Sequence, residues 1–129
     1  GAEGAQMGTR FMMTQESSAH INYKDLLLKA GPGSTKLSMK DHVPVRLFKN
    51  KFFEAVEELE RAGGGKEELV RLLGKGRAKA GMLDGELDQG ELEVGQVCSL
   101  IKDLPTVSEL VQDLVLDYEK RLREICASP

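Results

Sequence analysis

Gly4-Ala5-Gln6-Met7-Gly8-Thr9-Arg10-Phe11 is the first segment of the chain with a readable pattern, and the rest is interpreted from it. Ala5 and Met7 point the same way before a glycine interrupts the alternation, which predicts a buried strand about five residues long. The strand would stop at Gly8-Thr9, where backbone N–H groups and a hydroxyl could meet a phosphate. Taken alone, a Gly-Thr pair after a strand is an ordinary turn. Only three residues precede Gly4 and none is an initiator Met, so the strand arrives with no earlier element to pair with. The 129 residues therefore read as a piece of something longer.

That length leaves room for one domain with a modest core, whereas a complete (β/α)8 barrel needs about 250 residues. Charged residues make up 30% and hydrophobic ones 40%, ordinary for a soluble globular chain. No apolar run approaches the roughly 20 residues of a membrane span and no signal peptide is visible, so no membrane partner is expected. Cys98 and Cys126 have neither metal-site spacing nor the numbers of a disulfide framework, and a reduced cytoplasmic setting is expected. The net charge of −3 conceals an asymmetry: residues 1–51 hold eight Lys/Arg against four Asp/Glu, and residues 52–129 hold ten against seventeen. The basic part contains Gly8-Thr9, which suits an anionic ligand. Nucleic acid is disfavoured, because there is no dense basic stripe and only six aromatics could stack on bases.

Downstream, Asn22 reads as the N-cap of a helix carrying Tyr23, Leu26, Leu27 and Ala30, ended by Gly31-Pro32-Gly33-Ser34. Alternation around Leu37 and Met39, and again around Val43, Val45 and Leu47, predicts two short extended segments separated by Asp41-His42. Pro44 would confine the second to an edge or an irregular stretch. Asn50 reads as the cap of a helix with Phe52, Phe53, Val56 and Leu59 on one face, stopped by Gly63-Gly64-Gly65. A helix from about Lys66 and a short helical piece over 77–83 follow, separated by Gly74-Lys75-Gly76. An acidic loop covers 84–95, then a short helix through Val97, Leu100 and Ile101. Thr106-Val107-Ser108-Glu109 is a capping-box pattern, launching the longest helix, with Val107, Leu110, Val111, Leu114, Tyr118, Leu122 and Ile125 on one stripe.

Little here marks catalysis. His20 precedes a helix and His42 lies in a turn, and neither has a Ser, Cys or carboxylate at the spacing of a triad. Gly63-Gly64-Gly65-Lys66 lacks the earlier glycine and the Ser/Thr of a P-loop, and Gly74-Lys75-Gly76-Arg77-Ala78 lacks the third glycine of a dinucleotide fingerprint. Asp84, Glu86 and Asp88 imitate the start of an EF-hand loop, but its sixth and twelfth positions are Gln89 and Gly95. No metal site is expected.

Several blocks together resemble a known family: residues 1–11, Ala19-His20, Asn22-Tyr23-Lys24, Pro44-Val45-Arg46-Leu47-Phe48-Lys49-Asn50, Gly74-Lys75-Gly76-Arg77-Ala78 and Gly90-Glu91-Leu92-Glu93-Val94-Gly95-Gln96. In this order they are similar to the C-terminal portion of the nitronate monooxygenases (formerly 2-nitropropane dioxygenases) and the FMN-dependent type II enoyl-acyl-carrier-protein reductases. The fold this implies is mainly α with one to three short strands: the C-terminal fragment of a flavin-binding (β/α)8 TIM barrel plus its helical appendage. Residues 1–34 would be the last barrel strand and following helix, and residues 35–129 a helical substrate-side or lid region.

The resemblance also implies roles. Met7, Gly8 and Thr9 would belong to the FMN phosphate cradle after the last strand, whose other half, after the seventh strand, is absent from this chain. Glu93, Gly95 and Gln96 would lie on the substrate side of the flavin, although Gly95-Gln96 alone reads as a helix start. Relatives often carry Met where this chain has Glu93, and Ala-Gly-Leu where it has Cys98-Ser99-Leu100. No catalytic residue is expected, since the family's proton-handling His lies upstream. The parent enzyme would reduce enoyl thioesters with NAD(P)H or, alternatively, oxidise alkyl nitronates with oxygen. The isolated chain is expected to be colourless and inactive, a non-catalytic helical module that either pairs as a homodimer through its strand edges or leaves the strand disordered and folds only from about Asn22 or Asn50 onward.

Overall fold

The computed structural model describes residues 3–40 and 42–127. Gly1 and Ala2 of the first matched block, Asp41 of the expected turn, and Ser128-Pro129 of the expected tail lie outside the described residues.

The expected strand over residues 4–11 is not formed. Residues 4–7 have no regular structure, and the chain turns at Thr9 into a single helical turn, α1 (Thr9–Met12). The physical reason is that a strand is held by ladder hydrogen bonds to a neighbour, and no described strand pairs with this segment. Helix α2 (Ile21–Leu28) starts two residues earlier than Asn22 as N-cap would set it. Its N-cap is His20, in an extended conformation, whose Nδ1 accepts from the Asn22 N–H at 3.1 Å. The backbone N–H of His20 donates to Met82 at 2.8 Å, pinning the cap to a later part of the chain.

Strands β1 (Thr35–Ser38) and β2 (Val45–Phe48) pair antiparallel, Thr35 opposite Phe48 and Ser38 opposite Val45. The turn between them passes through Met39, a non-glycine residue at φ 54°. β2 is not an edge: Phe48 N–H donates to Leu92 at 2.9 Å, Val94 N–H to Arg46 at 3.1 Å, and Leu47 faces Glu93. Pro44 permits this because it precedes the strand, so its missing N–H removes no ladder bond.

Asn50 caps α3 (Lys51–Arg61) as its pattern predicts, accepting from the Phe53 N–H at 2.9 Å. Its amide also donates to Leu87 and Gly90 at 2.7 and 2.9 Å, which draws the 84–95 loop onto the helix start. Helix α4 (Lys66–Leu73) follows, then a π-helical turn over Lys79–Leu83 and a 3₁₀ turn over Gln96–Leu100. Gly81 and Gly90 touch backbone to backbone, and a Cβ on Gly90 would collide with the Gly81 Cα and the Glu86 carbonyl. The capping box is present: Thr106 N–H donates to Glu109 at 2.7 Å and Glu109 N–H to the Thr106 hydroxyl at 3.2 Å. It opens α5 (Val107–Ala127), whose only fully buried residue is Leu110; Val111, Val115, Tyr118, Leu122 and Ile125 are exposed.

Two cores result. One gathers Met13, Tyr23, Leu27, Leu92, Val94, Cys98 and Ile101; the other gathers Met39, Leu47, Phe52, Phe53, Val56 and Leu69. The extended segment 91–94 runs between them, because its N–H and C=O groups are bonded to β2 while Leu92 and Val94 enter the first core.

Candidate functional site

The start of α1 offers donors without acceptors. The first N–H groups of a helix have no carbonyl one turn back, and here helical bonding begins only when Met12 donates to the Gly8 carbonyl at 3.0 Å. Gly8 itself has φ −87°, which any residue adopts. A Cβ there would meet nothing within 4 Å, so no packing within the chain requires a glycine at this position. Bare backbone and adjacent unpaired N–H groups are the surroundings a phosphate needs, and in that respect the residues present fit the terminal phosphate of FMN.

Thr9 joins this end of the chain to the second candidate segment. Its Oγ1 accepts from the Gly95 N–H at 3.0 Å across 86 residues of sequence. A Cβ on Gly95 would lie 2.9 Å from that oxygen, so the absence of a side chain there permits the contact. Gly95 is also the N-cap of the 3₁₀ turn, with Gln96 in its first position, as the residue pattern alone predicts. A cleft of about 540 Å³ lies over the junction, lined by Met7, Gly8, Thr9, Val97, Ile101 and Leu114 among others. Arg10, also on its wall, is held by Asp103 through two bonds of 2.8 and 3.0 Å, which clamp α1 to the approach to α5.

The six residues implied by the resemblance are not in one place. Met7, Gly8 and Thr9 share the cleft and Gly95 touches it through Thr9. Gln96 lines a neighbouring cavity of about 410 Å³ with Gly33 and Leu100. Glu93 lines a third, with His42 and Glu91.

Two supporting residues, both within the matched block Asn22-Tyr23-Lys24, show little of their roles in the local pattern. Tyr23 is fully buried and its hydroxyl donates to the Glu93 carbonyl at 2.8 Å. Burial, with smaller contributions from Cys98 and Glu93, raises its pKa well above the ordinary phenol value, so the proton needed for that bond stays in place. A tyrosine on an apolar helical stripe is the one hint the sequence offers, since its hydroxyl needs a partner when buried. Lys24 is buried too, and its ammonium donates to the carbonyls of Thr14, Gln15 and Ser17 at 2.7, 3.3 and 2.9 Å, organising the loop between α1 and α2. Nothing in the local periodicity marks it. The Cys98 thiol is pushed up mainly by burial, against the Ser99 N–H and the charge of Lys102, so it is a packing group rather than a nucleophile.

Comparison with known proteins adds descent to this geometry. The family described as nitronate monooxygenase matches residues 1–117. The chain is 30% identical to the (3aS,4S,5R,7aS)-5-hydroxy-7a-methyl-1-oxo-octahydro-1H-indene-4-carboxyl-CoA dehydrogenase of Mycobacterium tuberculosis, over 98% of the chain and 46% of that protein. The protein of the same name from Rhodococcus jostii is also 30% identical, over 95% and 45%. Among solved structures, FabK from Thermotoga maritima superposes with a TM-score of 0.81 at 27% identity, over 97% of the chain and 40% of that one. The M276A mutant of the same protein superposes at 0.78 and 28%, over 97% and 37%. The chain thus spans less than half the length of the curated relatives it matches. The mainly helical fold with short strands is the one expected of a TIM-barrel fragment with its appendage.

Proposed function

The chain belongs to the nitronate monooxygenase family, and from that premise we propose that it forms the phosphate-binding end and part of the substrate wall of an FMN-dependent oxidoreductase. The observation that carries this reading is the Thr9–Gly95 hydrogen bond at 3.0 Å. It places the unpaired N–H groups of α1 beside the Gly95-Gln96 turn, so that an anion held at Gly8 would have Gln96 close by.

In this reading Gly8 lets the phosphate approach the backbone, and the N–H groups of Thr9, Arg10 and Phe11 receive its oxygens. Thr9 acts twice: its oxygen fixes the Gly95 amide, while its hydroxyl proton remains available to a ligand. Tyr23 holds the Glu93 carbonyl and thereby the entry to the Gly95 turn. Gln96 presents an amide toward substrate. When bound, the flavin supplies the two-electron chemistry, and the protein supplies position and electrostatics. The substrate class we propose is an acyl thioester, reduced at an enoyl group at the expense of NAD(P)H. Support comes from the carboxyl-CoA in the names of both curated relatives. Oxidation of a nitronate by oxygen is the alternative, favoured by the family's own description.

The cradle is tested by adding FMN, and separately riboflavin, to the chain while following the amide resonances of Gly8 to Phe11 and Gly95. FMN should shift them and riboflavin, lacking the phosphate, should not. In Gly8→Val the FMN response should weaken about tenfold, equivalent to about 1.4 kcal/mol. Equal responses to the two flavins would remove the phosphate role.

A further inference from the structure

A cavity of about 350 Å³ lies away from the flavin-facing cleft, between the β1–β2 turn and the segment 91–93. Its origin is visible in the alternation of an extended chain, in which successive side chains take opposite sides. Leu92 and Val94 enter the first core, so Glu91 and Glu93 turn toward the second. Two carboxylates therefore stand where apolar residues would have closed the face, opposite walls formed by Met39, Val45 and Leu73.

Glu91 is only 7% exposed, and its carboxylate accepts no hydrogen bond among the described residues. Burial pushes its pKa up, the charge of Glu93 adds to this, and Arg77 opposes it. Arg77 does not bond to it: its guanidinium donates to the Leu73 and Gln89 carbonyls at 2.9 and 2.6 Å and stacks 4.7 Å from the centre of the Phe52 ring. On the same cavity His42 carries a buried Nδ1 that also has no partner. A largely buried carboxylate without donors is costly; Glu93 beside it is exposed, and the His42 Nδ1 is closed off by the protein around it. No set of three His, Cys, Asp or Glu among the described residues is placed to hold a metal ion. What would meet Glu91 and Glu93 against those apolar walls is an organic cation with several N–H donors and an apolar tail.

We propose that this cavity binds a primary alkylammonium group, its N–H donors meeting Glu91 and Glu93, and its alkyl chain lying along Met39, Val45 and Leu73. Glu93 is also one of the residues that the resemblance puts on the substrate side of the flavin, but the site shares no residue with the Met7–Thr9 cleft. The cation reaches it either as a free amine or as a lysine side chain.

The test is a titration of the intact chain with n-butylammonium, Nα-acetyl-lysine amide and the neutral 1-butanol, followed by the NMR signals of the His42 ring and the Val45 methyls. Saturable binding of an ammonium ligand, about tenfold weaker for 1-butanol and about tenfold weaker in Glu91→Gln, is the result expected. Stronger binding of the lysine derivative would assign the site to a side chain, and stronger binding of butylammonium to a free amine; either supports the proposal. Glu93→Gln provides a second variant, with circular dichroism to check folding, should Glu91→Gln disturb the core. Equal binding of amine and alcohol, no saturable shift, or unchanged affinity in both variants would overturn it.

Discussion

At the scale of single residues, the contact that matters most for the candidate site is one hydroxyl accepting one amide. The Gly95 N–H reaches Thr9 Oγ1 at 3.0 Å in a partly buried setting, where leaving a donor unpaired costs about 1 to 3 kcal/mol. Thr9→Val keeps the shape and removes the acceptor, so it should destabilise the chain by an amount in that range and speed exchange of the Gly95 amide. Thr9→Ser keeps the oxygen and should restore most of both. Chemical denaturation with amide exchange on the three proteins checks this, and a valine variant as protected as the wild type would mean that the bond contributes nothing. This contact was not legible in the sequence. Both residues were singled out, but for their places near a flavin, and no local pattern connects positions 86 residues apart. The role of Lys24, quoted only within the block Asn22-Tyr23-Lys24, was hidden for the same reason, since its three acceptors belong to a loop with no period of its own.

Elements were readable wherever the signal was local. Asn50 and Thr106 are caps because a short polar side chain precedes a periodic apolar run, and both cap in the structure. Two elements were misjudged where a partner decides. The segment over 4–11 has strand-like alternation but no pairing strand among the described residues, and β2, expected at an edge or in an irregular stretch, is flanked on its second side because residues 92–94 return to it from a loop. The cap of α5 gives a pH prediction. Hydrogen bonds from the Thr106 amide, and then from its hydroxyl, hold the Glu109 carboxyl below its ordinary value. A depressed acid contributes stability above its unfolded pKa and loses it as pH falls through the folded one. The helicity difference between wild type and Glu109→Gln should therefore be present at neutral pH and vanish in acid. Thr106→Ala should cost about 1 kcal/mol. Circular dichroism across pH checks both, and a difference that persists in acid would show that the cap acts without the charge.

For the whole molecule, the question is whether two cores make one cooperative unit. The segment 91–94 decides it, since Leu92 and Val94 pack in the first core while the same residues are hydrogen-bonded to β2, whose Leu47 lies in the second. Neither core can come apart without straining that ladder, so damage to one should be felt in the other. Leu69 is buried in the second core, and Leu69→Ala should cost about 2 to 5 kcal/mol through lost burial and the cavity left behind. Cys98 reports from the first core, where burial protects it, whereas Cys126 on α5 is exposed. In the wild type an alkylating reagent should label Cys126 promptly and Cys98 only on opening. In Leu69→Ala the rate at Cys98 should rise in proportion to the loss of global stability, with Cys126 unchanged as the internal control. Labelling followed by mass spectrometry reads both sites in one sample. If Cys98 stays protected while the second core melts, the cores are independent, and the 91–94 ladder frays at less cost than its hydrogen bonds imply.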